Sequence, residues 1–138
     1  MSLLKVIYPS NPILRKKAVR VTVFDARLQT LIDDMIETMK AAPGVGLAAP
    51  QVAQSLRLFI AQLDEEPVSG DETDASQPPA TPGLGRTHVM INPIITRFFG
   101  EAIVGTEACL SIPEYLGDVS RPYGIIIKYL DRQGQKRK

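Results

Sequence analysis

Two short stretches hold the side chains that could do chemistry. The first is Gly44-Val45-Gly46-Leu47-Ala48-Ala49-Pro50-Gln51 and the second is Glu107-Ala108-Cys109-Leu110-Ser111. In the first, two glycines flank one valine, and a run of small residues ends in Pro-Gln. A connection so poor in side chains lets another backbone approach closely. An extended peptide lying there would present its reacting carbonyl to the Gln51 amide. In the second stretch, Cys109 is the only thiol of the chain. Glu107 stands two residues before it, so on a strand both side chains share one face. A thiolate there could ligate a metal, or act as a nucleophile beside a base. Free cysteine is also among the most buried residue types, so a structural thiol is the plainer reading. Glu107 could be a general base, or a carboxylate held by backbone amides or an arginine. Arg121 is its candidate partner, or an anchor for a peptide carboxylate, or a plain surface residue. His88 is the only histidine. A lone histidine at a strand start is most often a surface residue. Paired with Cys109 it would make a thiol hydrolase, but no third group is there to orient it.

The elements around these stretches follow from periodicity. Asp25 is placed as a helix N-cap. After it, Leu28, Leu31, Ile32, Met35, Ile36 and Met39 recur at helical spacing, with Asp33, Asp34, Glu37 and Lys40 outside the stripe. Pro43-Gly44 ends that helix, which delivers the chain directly to the first stretch. Before the helix, Asn11-Pro12 starts a turn or short helical segment, and Val19, Val21 and Val23 alternate as a short strand. Leu56 to Leu63, His88 to Ile95, Glu101 to Ser111 and Gly124 to Leu130 read as extended segments. Asn92-Pro93 marks a bend or an edge in the second of them, and Ile112-Pro113 interrupts the third. Asp131-Arg132-Gln133-Gly134 is a hairpin turn, after which only four polar residues remain. The returning strand is cut short, so the domain is expected to continue beyond Lys138.

At 138 residues the chain is one domain, long enough to bury a core without staples. A single cysteine rules out an internal disulfide and fits a reducing compartment. No basic start followed by an apolar run marks a signal peptide, and no apolar run is long enough to span a bilayer. A cytoplasmic protein is the default. The formal net charge is +1, which predicts neither a nucleic-acid binder nor a membrane-surface protein. Residues 64–85 carry six acids in a Pro/Gly/Ser/Thr-rich segment and read as a mobile insertion. Outside it nine acids face sixteen bases, so the folded body is mildly basic and compatible with a ribosomal neighbourhood or simply with a solvated surface.

Together the two stretches closely resemble the first two motifs of peptide deformylases, Gly-x-Gly-[Ile/Leu/Val]-Ala-Ala-x-Gln and Glu-Gly-Cys-Leu-Ser. Ile91-Asn92-Pro93 and Ser111-Ile112-Pro113-Glu114 are similar too. The resemblance implies an α+β fold, with small antiparallel sheets packed around a helix, and removal of the formyl group from the formylmethionine of nascent polypeptides. It implies one Fe(II), replaceable by Zn, Ni or Co, held by Cys109 and by two histidines of a His-Glu-x-x-His helix. It makes Gln51 the donor to the attacking water and the developing oxyanion, and the Leu110 amide a second donor. Gly44, Val45 and Gly46 would pair with the substrate backbone, and Glu107 with Arg121 would hold the site together. Ala108 stands where the family commonly has Gly. The chain has no His-Glu-x-x-His. It is therefore expected to be the N-terminal portion of such an enzyme, without the metal-binding helix and inactive alone, the activity belonging to the complete domain. The alternative is a truncated, inactive relative that binds peptides or a partner.

Overall fold

The computed structural model describes residues 2–63 and 86–138, so the insertion expected at 64–85 lies outside the described residues. Helix α1 spans Ala26–Ala41, and the Asp25 carboxylate accepts from the Leu28 amide at 3.0 Å. Its stripe buries Leu28, Ile32, Met35 and Met39. Asp34, expected in water, is buried instead. The N-terminal segment lies over the helix there: the Ser2 amide donates to Asp34 Oδ1 at 2.7 Å, and the Leu4 amide to Thr38 Oγ1 at 2.8 Å. That hydrogen bond offsets part of the cost of taking the carboxylate out of water.

Among the described residues seven strands follow the helix: β1 (Gly46–Ala48), β2 (Leu58–Leu63), β3 (Arg86–Phe99), β4 (Ile103–Cys109), β5 (Ile112–Arg121), β6 (Gly124–Leu130) and β7 (Lys136–Arg137). They form a five-stranded antiparallel sheet in the order β1-β2-β3-β6-β7 and a separate β4-β5 hairpin. The core joins the α1 stripe to Leu47, Leu58, Ile60 and Ile91 of the first three strands. In this order β1 and β7 are the two edges of the sheet.

Three sequence expectations change. Val19–Val23 is not a strand. Only Val19 bridges to Leu56, in parallel, while Val21 is held by the Asn92 side chain. Asn92 Oδ1 accepts from the Val21 amide at 2.9 Å and its Nδ2 donates to the Val21 carbonyl at 2.8 Å. One side-chain amide thereby replaces the partner peptide of a strand. Second, of the bend or edge expected at Asn92-Pro93 the structure shows the bend and not the edge: β3 is interior, and its register breaks between Ile91 and Ile94, with Asn92 at φ 51°. Asparagine tolerates that left-handed conformation better than most residues, and the bulge spares the sheet a missing donor at the proline. Third, residues 112–121 form strand β5, which its two internal breakers Pro113 and Gly117 concealed. The last turn is as expected: Asp131 and Gln135 pair across it, with Gly134 at φ 82°.

Candidate functional site

Gln51 belongs to a single 3-10 turn, Ala49–Val52, that follows β1 directly. Ala49 and Val52 anchor the turn in the core, and the Gln51 carbonyl accepts from the Ile7 amide at 2.8 Å. The side chain folds back so that Oε1 accepts from the Ala48 amide at 2.9 Å. A backbone N–H can only donate, so the atom facing it must be the oxygen. The NH2 group is therefore aimed the other way, 3.5 Å from Cys109 Sγ and 3.2 Å from Ser111 Oγ.

Those two partners sit at the tip of the β4-β5 hairpin, where Leu110-Ser111 make the turn between Cys109 and Ile112. The turn folds down onto the first stretch. Leu110 lies over Gly44 so closely that a Cβ there would meet Leu110 Cδ1 at 2.7 Å. Glycine at 44 thus has a steric cause. Ser111 is buried, while Cys109 is exposed, contrary to the plainer reading of it as a structural thiol. The Leu110 amide makes no hydrogen bond to another described residue.

Glu107 and Arg121 lie on one face of the hairpin and form a bidentate pair, Nε to Oε2 at 2.5 Å and the terminal Nη2 to Oε1 at 2.7 Å. The hydrogen bond from Arg121, aided by its charge, holds the Glu107 carboxyl below the usual carboxylate range and raises the guanidinium in turn. Both side chains are well exposed, so water and salt weaken the pair.

The edge strand adds the backbone component. The Gln62 amide donates to the Val45 carbonyl at 2.7 Å, and Gly46 lies opposite Ala61. In an antiparallel ladder the hydrogen-bonding direction alternates. Val45 and Leu47 therefore turn their peptide groups to β2, while Gly46 turns its N–H and C=O to the open side. Ala48 points to the same open side, where its amide is taken by Gln51. The Val45 side chain projects into solvent, 75 % exposed.

Among the described residues no three His, Cys, Asp or Glu side chains come together as a set that could hold a metal. Cys109 is the donor this site presents. His88 lies in β3 opposite Ala61, in the larger sheet rather than at the hairpin tip. A groove of about 580 Å³ runs between Val19–Val23 and α1. It contains none of these residues, and the chemistry is read from the converging side chains instead. Ser111 is the participant that sequence reasoning left without a role. Its place directly before Ile-Pro, at a turn that must reverse a strand, was the available signal.

These features place the chain among α+β proteins that set an open strand edge beside a primary amide and an exposed thiol. Comparisons with known proteins narrow the class. The family model described as Polypeptide deformylase matches residues 3–138. A peptide deformylase of Dehalococcoides mccartyi is 43% identical over 135 residues, covering 98% of this chain and 70% of that protein. The crystal structure of a peptide deformylase from Legionella pneumophila superimposes with a TM-score of 0.78 at 37% identity, over 98% of this chain and 69% of that one. That of the Ehrlichia chaffeensis peptide deformylase in complex with actinonin gives 0.83 at 32% identity, over 99% and 73%. The chain belongs to the polypeptide deformylase family. No helix among the described residues is long and apolar enough to cross a membrane.

Proposed function

We propose that this protein recognises the formylated N-terminus of a nascent polypeptide, and that the complete domain hydrolyses the formyl group. The observation that carries the reading is the convergence of Gln51 on Cys109 beside the open edge of β1. An extended peptide adds to that edge through the Gly46 N–H and C=O, the backbone pairing used by other strand-adding ligands. Its formyl oxygen then faces the Gln51 NH2 group and the Leu110 amide. Two donors fixed before substrate arrives stabilise charge developing on that oxygen, an effect that removal of one donor in other hydrolases reduces by about a hundredfold or more. Glu107 and Arg121 keep the hairpin strands, and hence the turn carrying Cys109 and Leu110, in register.

A family metal, iron(II) in the first instance, would supply Lewis acidity and a nucleophile at neutral pH. Of the three protein ligands such a site needs, Cys109 is present, and the others do not assemble from the described residues. The remaining ligands and the proton shuttle would belong to the complete domain, which works in the cytoplasm near the ribosome, and the 138-residue chain alone would be inactive.

The test loads the chain, and a longer form carrying a His-Glu-x-x-His helix, with Fe(II), Co(II) or Zn(II) under anaerobic conditions. Metal content and hydrolysis of formyl-Met-Ala-Ser are then measured. One metal and steady turnover are expected of the longer form, and substoichiometric metal without turnover of the shorter. Robust hydrolysis by the 138-residue chain would overturn this assignment of the ligands.

A further inference from the structure

The geometry points to Ser111 as a positioning residue for Gln51: its buried hydroxyl oxygen holds one N–H of the Gln51 amide, leaving the second aimed over Cys109. We infer this from three facts. Ser111 is only 3% exposed, yet sits in an otherwise exposed hairpin. Its Oγ lies 3.2 Å from Gln51 Nε2. The opposite end of the same amide is pinned by the Ala48 N–H at 2.9 Å.

A primary amide has two N–H donors in a fixed plane and one carbonyl oxygen. With Oε1 tied to Ala48 and one hydrogen tied to Ser111, both rotation and flip of the group are removed. The second hydrogen then has one direction left, toward Cys109 Sγ and the space above it. Without the Ser111 oxygen the NH2 end keeps only the long 3.5 Å contact to Cys109 Sγ. It can swing away from the hairpin, and the Ala48 bond, which shares its orientation, loosens with it. Ser111 touches no substrate atom in this arrangement. It acts through Gln51, so the inference rests on the proposed role of Gln51 for its catalytic meaning, though not for its geometry.

Hydrogen exchange of the Ala48 amide tests it on the 138-residue chain itself. This amide points away from β2, and Gln51 is its acceptor among the described residues, so its exchange reports the Gln51 orientation. Ser111→Ala is expected to speed Ala48 exchange about fivefold, the equivalent of one modest hydrogen bond. Gln51→Leu, which removes the acceptor altogether, sets the upper limit. The amides of α1 and β2 should keep their protection in both variants. An unchanged Ala48 rate in Ser111→Ala overturns the proposal. So does a general loss of protection across α1 and β2, because Ser111 is then a folding residue. Deformylation by the longer, metal-loaded form is a separate readout, where Ser111→Ala should lower kcat with little change in KM. If the wild-type longer form hydrolyses no formyl peptide while Ala48 still responds, the positioning stands and the functional reading falls.

Discussion

Gly44 and Glu107 show how single residues at this site carry different kinds of cost. A Cβ at 44 would press on the end of the Leu110 side chain, which can rotate away. Gly44→Ala should therefore cost little stability, under about 1 kcal/mol by urea unfolding, while displacing the turn that presents the Leu110 amide. In the longer form, deformylation should fall by much more than stability does. Glu107 is governed by pH. Its carboxyl lies lower in the folded chain than in the unfolded one because Arg121 hydrogen-bonds it. Its contribution is thus complete above the ordinary carboxylate value and is lost as pH falls through the folded one. Protection of the β4 and β5 amides, corrected for intrinsic exchange, should drop as pH is taken below the ordinary carboxylate range. Glu107→Gln should be weakly protected at neutral pH already and show no such step. About 1 M salt should blunt the step, since both partners are exposed. The types and spacing of Gln51, Cys109 and Glu107 were legible in the sequence. That Gln51 and Cys109 share a site was implied only by the resemblance, and the Gln51–Ser111 contact was not legible at all, because the two are sixty residues apart in the chain and only the folded hairpin tip brings them together.

At the scale of elements, periodicity revealed what repeats and missed what is replaced by a side chain. Helix α1 and strand β6 were legible because their stripes are uninterrupted. Val19–Val23 has the alternation of a strand, but Asn92 supplies its partner and no ladder forms. Strand β5 lacked alternation because it is exposed along nearly its whole length, so no buried face wrote a pattern into it. Asn92 is consequently the residue on which the N-terminal segment depends. Asn92→Ala removes both bonds to Val21, leaves its peptide groups unpartnered, and puts an alanine at φ 51°. The expected loss is about 2–3 kcal/mol in urea unfolding. Asn92→Gly relieves the backbone strain but not the lost bonds, and should recover about 1 kcal/mol of that. If alanine and glycine prove equal, the conformational part of the argument fails.

Across the whole molecule the buried apolar residues lie at one end. The core joins α1 to β1, β2 and the first half of β3, with Ile32, Met35, Met39, Ile60 and Ile91 fully enclosed. The far half of β3, the β5–β6 connection and the β4-β5 hairpin present Ile94, Phe98, Val104, Tyr115, Leu116 and Tyr123 to solvent. A two-stranded ribbon without a packed face is marginal in water. The hairpin should therefore open on its own, well below the free energy that unfolds the core. Native-state hydrogen exchange in low urea checks this: the β4 and β5 amides should exchange by an opening with little urea dependence, and those of α1, β2 and β3 only with global unfolding. Substitutions should separate in the same way. Ile60→Ala, which empties a fully enclosed site, should cost about 2–5 kcal/mol and speed exchange everywhere. Leu116→Ser, at a side chain 74% exposed, should leave global stability within about 0.5 kcal/mol. A cost for Leu116→Ser comparable to that of Ile60→Ala would mean that the hairpin folds with the core as one unit.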